Sequence, residues 1–588
     1  MSQPADPELW REAGRTLVAK ALAELAYEEI LLPAPDGPDH RVDLADGVSY
    51  RFAARRGPFG AWRLDPGSVR RVVAGRAERA DDPLQLMLDA RAALGLAGPQ
   101  LADVIRELSA THAADARLLR DLPTAAELAD LSYVELEACG SGHPCMVLNK
   151  GRLGFSASDV ARYAPEARRP LRLHWIAVHP ELGRHHGMSR DELISRQLDR
   201  STRSAFDTEL RGHVHDSSGW AWLPVHPFHW DEAIAPLFAA ELAEGLIVSL
   251  GEAPDQHRPL QSVRTLANVD RPDRLDVKLP LLIRNTLVWR GLATAPTAAA
   301  PQISSWLQDI ARHDRFLSDR CRMVVLGEVA SVTGRHPRLA AVPDAPYRFG
   351  ELLGAVWRQP VAEVLRPGER ARTMASLNTV GRDGRALVAE LVARSGLDPE
   401  TWLKRFFSSL LPPLLHWLHR YGVAFCPHGE NTVLIFDASE VPVAIAVKDL
   451  AEDVNLLPEA LPEYATLTPD AEAVLHRWPA RDLRHSILSA VFAGHLRFFG
   501  DVVERHLGVP EDRLWELVAA TVRGYRDTFA QLVDRFAAFD LEAPEFERIC
   551  LNREQLLGDG FHERAERDEG FDLVHGTVPN PLAAHACR

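Results

Sequence analysis

The chain has 588 residues, 46% hydrophobic and 25% charged, enough to bury several cores and to divide into about three domains. Its 67 basic and 82 acidic residues leave a net charge of −15, which argues against nucleic acid as the main partner. It does not exclude an anionic small substrate, because a few arginines in one cleft override the global sign. Six cysteines (Cys139, Cys145, Cys321, Cys426, Cys550 and Cys587) form no CxxC pair, the first residues carry no basic and apolar leader, and no apolar run is long enough to span a bilayer. The expectation is a cytoplasmic chain with no membrane partner.

In chain order, residues 9–30 read as an amphipathic helix, with Leu17, Leu22, Leu25 and Ile30 near one face. Residues 40–54 read as a hairpin around Ala45-Asp46-Gly47. Residues 68–120 are rich in Ala, Leu and Arg and read as helical, ending at Asp121-Leu122-Pro123. From about 130 to 345 short β-like runs appear at Leu171–Val178, Ala221–Val225, Val277–Ile283 and Arg322–Leu326, with helical stretches Arg190–Arg200 and Asp231–Leu242 between them. This predicts an α+β fold with a mainly antiparallel sheet in the middle. Beyond about 350 helices dominate (Trp402–Tyr421, Arg481–His506, Glu511–Phe539), interrupted by one hairpin, Val433–Phe436 and Val443–Val447.

Three constellations stand out as chemistry. Gly142-His143-Pro144, followed by Asn149-Lys150-Gly151-Arg152-Leu153-Gly154, gathers three cationic side chains in a glycine-bounded loop, a compact anion site or a solvated basic turn. Ser262-Val263-Arg264-Thr265, Lys278, Asn285-Thr286 and Arg290 offer hydroxyl, guanidinium and ammonium donors to one phosphate chain, or else form ordinary cross-strand charge. His428-Gly429-Glu430-Asn431, the hairpin and then Lys448-Asp449 bring Glu430 and Asp449 together as hard oxygen ligands for magnesium, or make a capped turn with an exposed Asp. His226, among Trp220, Trp222, Phe228 and Trp230, reads as a core histidine more readily than as a ligand. His213, His215, His226 and His229 lack the partners of a zinc motif, and neither a P-loop nor a GxSxG elbow is present.

The order of these motifs resembles the NRPS-independent siderophore synthetases, the IucA/IucC family that includes the aerobactin and achromobactin synthetases. The quoted residues run from Gly142-His143-Pro144 through His226-Pro227, Ser262-Val263-Arg264-Thr265, Lys278-Leu279-Pro280, Asn285-Thr286 and Arg290 to His428-Gly429-Glu430-Asn431 and Lys448-Asp449-Leu450. The resemblance implies a cupped-hand fold: a thumb-like helical region over 1–125, a fingers-like α+β region over 126–348 that binds ATP, and a palm-like, mostly helical region over 349–588. It implies that ATP and Mg2+ serve to adenylate a carboxylate of citrate or a related polycarboxylate, which an amine or alcohol then captures as an amide or ester. Carried over by motif, Ser262, Arg264, Thr265, Lys278, Arg290, His428 and Asn431 hold ATP; His428, Arg290 and Lys278 act at the reacting centre; His143, Lys150, Arg152 and Thr286 surround the acid; and Glu430 and Asp449 bind the metal. Many members carry Gln at the position of Glu430, and the acidic residue here points to the subgroup acting on free citrate. The family often forms dimers, which allows a homodimer. The rival reading is a kinase-like small-molecule phosphotransferase, since His428…Asn431, a hairpin and Asp449 also resemble a catalytic loop and metal Asp; no Gly-rich loop with a strand Lys accompanies them.

Overall fold

The computed structural model describes residues 6–558, 563–567 and 573–585; Cys587 and the first five residues, part of the leader reading, lie outside the described residues. The first helix, Pro7–Tyr27, starts where the Asp6 side chain accepts the Glu8 N–H and Pro7 pre-sets the first turn. Its apolar face, Leu17, Leu22 and Leu25, is buried against the long helix Gly98–Arg120. The expected hairpin forms from Asp39–Asp43 and Val48–Phe52, with His40 opposite Phe52. The helical expectation for 68–120 holds only from Pro83 onward. Arg70–Val73 and Arg76–Arg79 are strands that complete a five-stranded antiparallel sheet. Ala74 and Gly75, both at positive φ, reverse the chain there, and pairing with Val48–Arg51 overrides the helix propensity of the Ala/Arg-rich stretch.

An eight-stranded sheet forms the middle of the molecule, in the order Ala221–Val225, Leu171–Val178, Ile247–Pro259, Thr265–Asn268, Asp276–Lys278, Leu353–Arg358, Glu328–Gly334 and Gly183–Gly187. Every neighbouring pair is antiparallel. Leu353–Arg358 is an inner strand, so this sheet draws on residues beyond 348. Two runs depart from expectation. The run 277–283 pairs only at Asp276–Lys278, because Pro280 has no amide hydrogen to give the ladder. The chain then leaves the sheet as a loop closed by Leu281 N–H to Arg290 O and Arg290 N–H to Ile283 O. Met323–Val325, from the run 322–326, joins a second sheet, parallel to Pro442–Val447. That four-stranded sheet is built on the expected hairpin, Thr432–Phe436 with Pro442–Val447, flanked by Arg370–Thr373. The stretch Arg190–Arg200 is two helices, broken where Asp199 caps the second.

The largest core surrounds the helix Pro399–Tyr421, whose Trp402, Phe406, Phe407 and Trp417 are fully buried. The segment Ala480–Leu507 is long and apolar enough to cross a membrane by length and composition, yet over half of its apolar window (56%) is buried inside the protein. Residues Ser486–Leu496 of it are wound as a π-helix. The N-terminal region is fastened to this helical region by Arg497, which grips Glu24 through two bonds of 3.1 and 2.8 Å over the ring of Tyr27, and by Arg63 to Glu511. These buried pairs, the first of them bidentate, fix one wall of a cleft between the regions.

Candidate active site

A cleft of about 1630 Å³ opens where the N-terminal helix, the Gly142-His143-Pro144 loop, the His428 loop and the π-helix converge. That exceeds the roughly 300–1,000 Å³ of a single small-molecule site, so it has room for more than one reactant. His143, His428 and Glu430 line it directly, together with Lys20, Asp453 and His495.

Strand register assembles the phosphate-type cations. Thr265 lies opposite Lys278 in the central sheet, and Leu279 N–H donates to Arg264 O, so the Ser262–Thr265 turn and Lys278 are forced side by side. Ser262 Oγ accepts the Thr265 N–H at 3.3 Å, which closes that turn. Arg264 is buried between the Gly291 carbonyl and Glu452, the latter at 3.2 Å. Lys278 Nζ reaches Asp449 and Glu452, both at 3.3 Å. Burial opposes the charge on Lys278, and Glu452 with Asp449 outweighs it, so its pKa is raised. Arg290 donates to Asn285 O at 2.8 Å and to Thr286 Oγ1. Its Nε is buried without a partner, and burial followed by the nearby Arg264 pushes its pKa down to about 10. Such a guanidinium is stabilised by an arriving anion. Thr286 and Leu287, at φ 50° and 75°, form the tight turn that returns the chain from Asn285 to Arg290.

The hairpin of the second sheet brings in the other half. Pairing of Thr432 with Val447 places Asn431 beside Lys448, whose N–H donates to Asn431 O at 3.2 Å. His428 Nδ1 accepts the backbone N–H groups of Glu430 and Asn431 at 3.2 and 3.4 Å, so the proton of the neutral ring belongs on Nε2. Burial pushes its pKa down to about 4 against the pull of Asp449, so at neutral pH His428 is an uncharged N–H donor. The neighbouring Gly429 is tightly packed: a Cβ there would stand 3.0 Å from Ala375 and 3.1 Å from His495 Nδ1, and those neighbours would have to give way. Asp449 faces Lys278 at 3.3 Å and Arg358 at 3.6 Å; burial works against its charge, and Lys278, Arg358 and Lys448 hold it well below the usual carboxylate range. Asn431 Nδ2 donates to Asp453 at 2.8 Å, and burial with Asp449 and Glu452 nearby pushes Asp453 up to about 7.

Lys150 and Arg152 are placed differently from the rest of their motif. Lys150 is buried on Asp115 at 2.5 Å and the Ser141 carbonyl at 2.6 Å. Arg152 is locked to Glu166 by two bonds of 2.5 and 3.0 Å. Neither lines the cleft; both brace the loop that presents His143, whose carbonyl also accepts from Asn149 and Lys20. Glu452, Asp453, Arg358 and Lys20 escaped the sequence reading. The spacing Asp449-x-x-Glu452-Asp453 could have flagged the first two, and the lone Lys20/Glu24 pair in the apolar run Leu17–Tyr27 the last. His226 is a core residue, its Nδ1 accepting the Phe228 N–H at 3.1 Å.

Known proteins share this fold. The IucA/IucC family model matches residues 132–379, and a model described as ferric iron reductase FhuF-like transporter matches 400–563. Aerobactin synthase of Escherichia coli is 36% identical over 93% of this chain and 94% of its own. A relative from Bacillus anthracis, named citryl-spermidine/3,4-dihydroxybenzoyl-citryl-spermidine:spermidine ligase, is 27% identical over 97% of this chain and 93% of its own. The structure of aerobactin synthetase IucC from a hypervirulent pathotype of Klebsiella pneumoniae superposes with a TM-score of 0.86 at 33% identity, covering 99% of both chains. Fold and relatives together define a ligase-type enzyme of siderophore biosynthesis. The chain belongs to the IucA/IucC family of siderophore synthetases.

Proposed function

We propose that the protein uses ATP and Mg2+ to adenylate a carboxylate of citrate or a related polycarboxylate, and joins the acyl group to an amine or alcohol in the cytoplasm. The observation that carries this reading is the meeting of Arg264, Lys278 and Arg290 with the neutral His428 and the carboxylates of the Asp449 loop. A triphosphate and a polycarboxylate repel each other, and their approach needs cations between them. The orphaned Nε of buried Arg290 fits an incoming phosphate or carboxylate oxygen. Ser262 and Thr265 close the turn beside Lys278 and supply hydroxyl groups to the same phosphates.

ATP supplies the activation: an acid oxygen takes the α-phosphorus, pyrophosphate leaves, and AMP leaves when the nucleophile attacks the acyl carbon. The side chains do the rest. Arg290 and Lys278 bind the charge that develops on the phosphoryl oxygens, and His428 Nε2–H donates to an oxygen there without adding a charge. His143, also kept neutral by burial, faces the acid from the cleft wall, and Thr286, which accepts from Arg290, contributes a hydroxyl from the Arg290 turn. Lys150 and Arg152 act one step removed, by holding the His143 loop. Glu430 and Asp449 are hard donors suited to Mg2+ shared with phosphates, with Asn431 beside them. Among the described residues no three His, Cys, Asp or Glu side chains group as a metal site.

The name of the Bacillus anthracis relative supports citrate and an amine as the reactant classes. No relative or structural feature favours the phosphotransferase alternative over this one. The test is ATP-dependent hydroxamate formation with hydroxylamine as trap, offered citrate, a citrate monoamide, 2-oxoglutarate and succinate separately. Citrate-dependent AMP and pyrophosphate are expected; ADP without hydroxamate would overturn the reading.

A further inference from the structure

Of the 67 basic residues only five are lysines: Lys20, Lys150, Lys278, Lys404 and Lys448. Arginine supplies nearly all the rest of the positive charge, and of the lysines only Lys404 is exposed. Lys278 and Lys448 belong to the site above, and Lys150 braces its His143 loop. Lys20 is the remaining one, and it comes from the N-terminal region, which carries no recognised motif.

Its surroundings leave positive charge unmatched. The first helix brings Lys20 and Glu24 one turn apart onto the cleft wall. Glu24 is consumed by the two bonds from Arg497. Asp115, the nearby carboxylate that favours the Lys20 charge, already accepts from Lys150 Nζ at 2.5 Å. Lys20 and Lys150 therefore share Asp115, Glu24 is shared with Arg497, and the only hydrogen bond found for Lys20 among the described residues is to the His143 carbonyl at 2.9 Å. A compact ammonium with spare donors, bonded to the His143 carbonyl and so beside a residue within electrostatic reach of His428, suits a carboxylate oxygen. Burial pushes the Lys20 pKa down to about 8, opposed by Asp115 and assisted by Lys150, and an anion bound there relieves that cost.

We propose that Lys20 binds a second carboxylate of the acid, not the one activated beside His428, and so selects polycarboxylates over monocarboxylates. The inference rests on the synthetase reading for which carboxylate reacts, but not for binding itself. The experiment is calorimetric titration of citrate, of 3-hydroxybutyrate as a monocarboxylate, and of ATP into the full chain. Lys20→Gln keeps a donor for the His143 carbonyl and removes the charge; Lys20→Met removes both, and Lys20→Arg restores the charge. We expect Lys20→Gln and Lys20→Met to weaken citrate by about tenfold to a hundredfold, as loss of a charge-assisted hydrogen bond does. ATP affinity stays within about twofold, the citrate-to-monocarboxylate preference collapses, and Lys20→Arg recovers most of it. Unchanged citrate affinity in Lys20→Gln overturns the assignment, and so does a loss shared equally by citrate and ATP, which marks a purely structural role. A wild type that binds citrate in this Lys20-dependent way yet releases no AMP overturns the synthetase reading instead and leaves Lys20 in place.

Discussion

Two loops hold similar densities of polar side chains and use them in opposite ways. In the loop Ser141–Gly154 each charge has its counterpart: Lys150 on Asp115, Arg152 on Glu166, and Asn149 on the carbonyls of Ser141 and His143. In the loop from His428 to Asp453 the charges crowd without closing. Asp449 is held ionised, Asp453 is pushed up to about 7, and His428 is kept neutral. Arg290, which approaches from the central sheet, is pushed down to about 10 with an idle Nε. A satisfied buried pair contributes rigidity, whereas an unbalanced buried set is stabilised by a ligand that completes it. On the proposed function, the motif around Lys150 and Arg152 frames the site, and the motif around His428 and Asp449 works in it.

Substitutions that separate framing from chemistry sharpen that contrast. Arg290→Ala should lower citrate-dependent pyrophosphate release by about 10²–10³-fold, the usual scale for losing one donor to a developing oxyanion, with an unchanged circular-dichroism spectrum. Near-normal release would remove Arg290 from the reacting centre. Glu166→Gln should do the reverse. It leaves the Arg152 guanidinium buried and unpaired, costing about 3 kcal/mol in denaturant unfolding, while activity of the folded protein stays within a few-fold. A large loss of activity with unaltered stability would put Arg152 back at the substrate. Asp449→Asn should shift the magnesium titration of the reaction by about tenfold, the scale on which loss of one charged ligand is felt. An unmoved titration would take Asp449 out of the metal site.

The last effect concerns pH. Asp453 has a carboxyl pKa raised to about 7 in the folded protein, against about 4 for an unperturbed Asp. The folded state holds this proton more tightly, so stability is lost as pH rises from about 4 through 7. Asp453→Asn removes that loss. It should stabilise the ligand-free protein by up to about 4 kcal/mol at pH 8 and by nothing measurable on this account near pH 4, read from urea midpoints at the two pH values. A variant less stable at pH 8 would show that the Asn431 contact outweighs the buried charge.

Much of this molecule is legible in sequence where the physics is local. The strands Leu171–Val178 and Ala221–Val225 and the hairpin around Asp437–Val441 follow from apolar runs bounded by turn residues. The helix expected over 9–30 from its 3.6-residue period forms as Pro7–Tyr27. The stretch Arg70–Arg79 was not legible, because edge pairing decides it, and Val277–Ile283 was cut short by the missing amide of Pro280. The chain by itself determined which residue types the proposed site draws on: Ser262, Arg264, Thr265, Lys278, Arg290, His428, Glu430 and Asp449 stand in an order that resembles the family. Only the tertiary structure decided which charges are spent and which are free. Asp115 and Glu166, brought in by a distant helix and a short turn, neutralise Lys150 and Arg152. Arg497, some 470 residues beyond Glu24, takes the carboxylate that would have matched Lys20. Charge balance in a buried site depends on distances of a few ångströms between segments far apart in the chain, and spacing along the sequence carries no record of it.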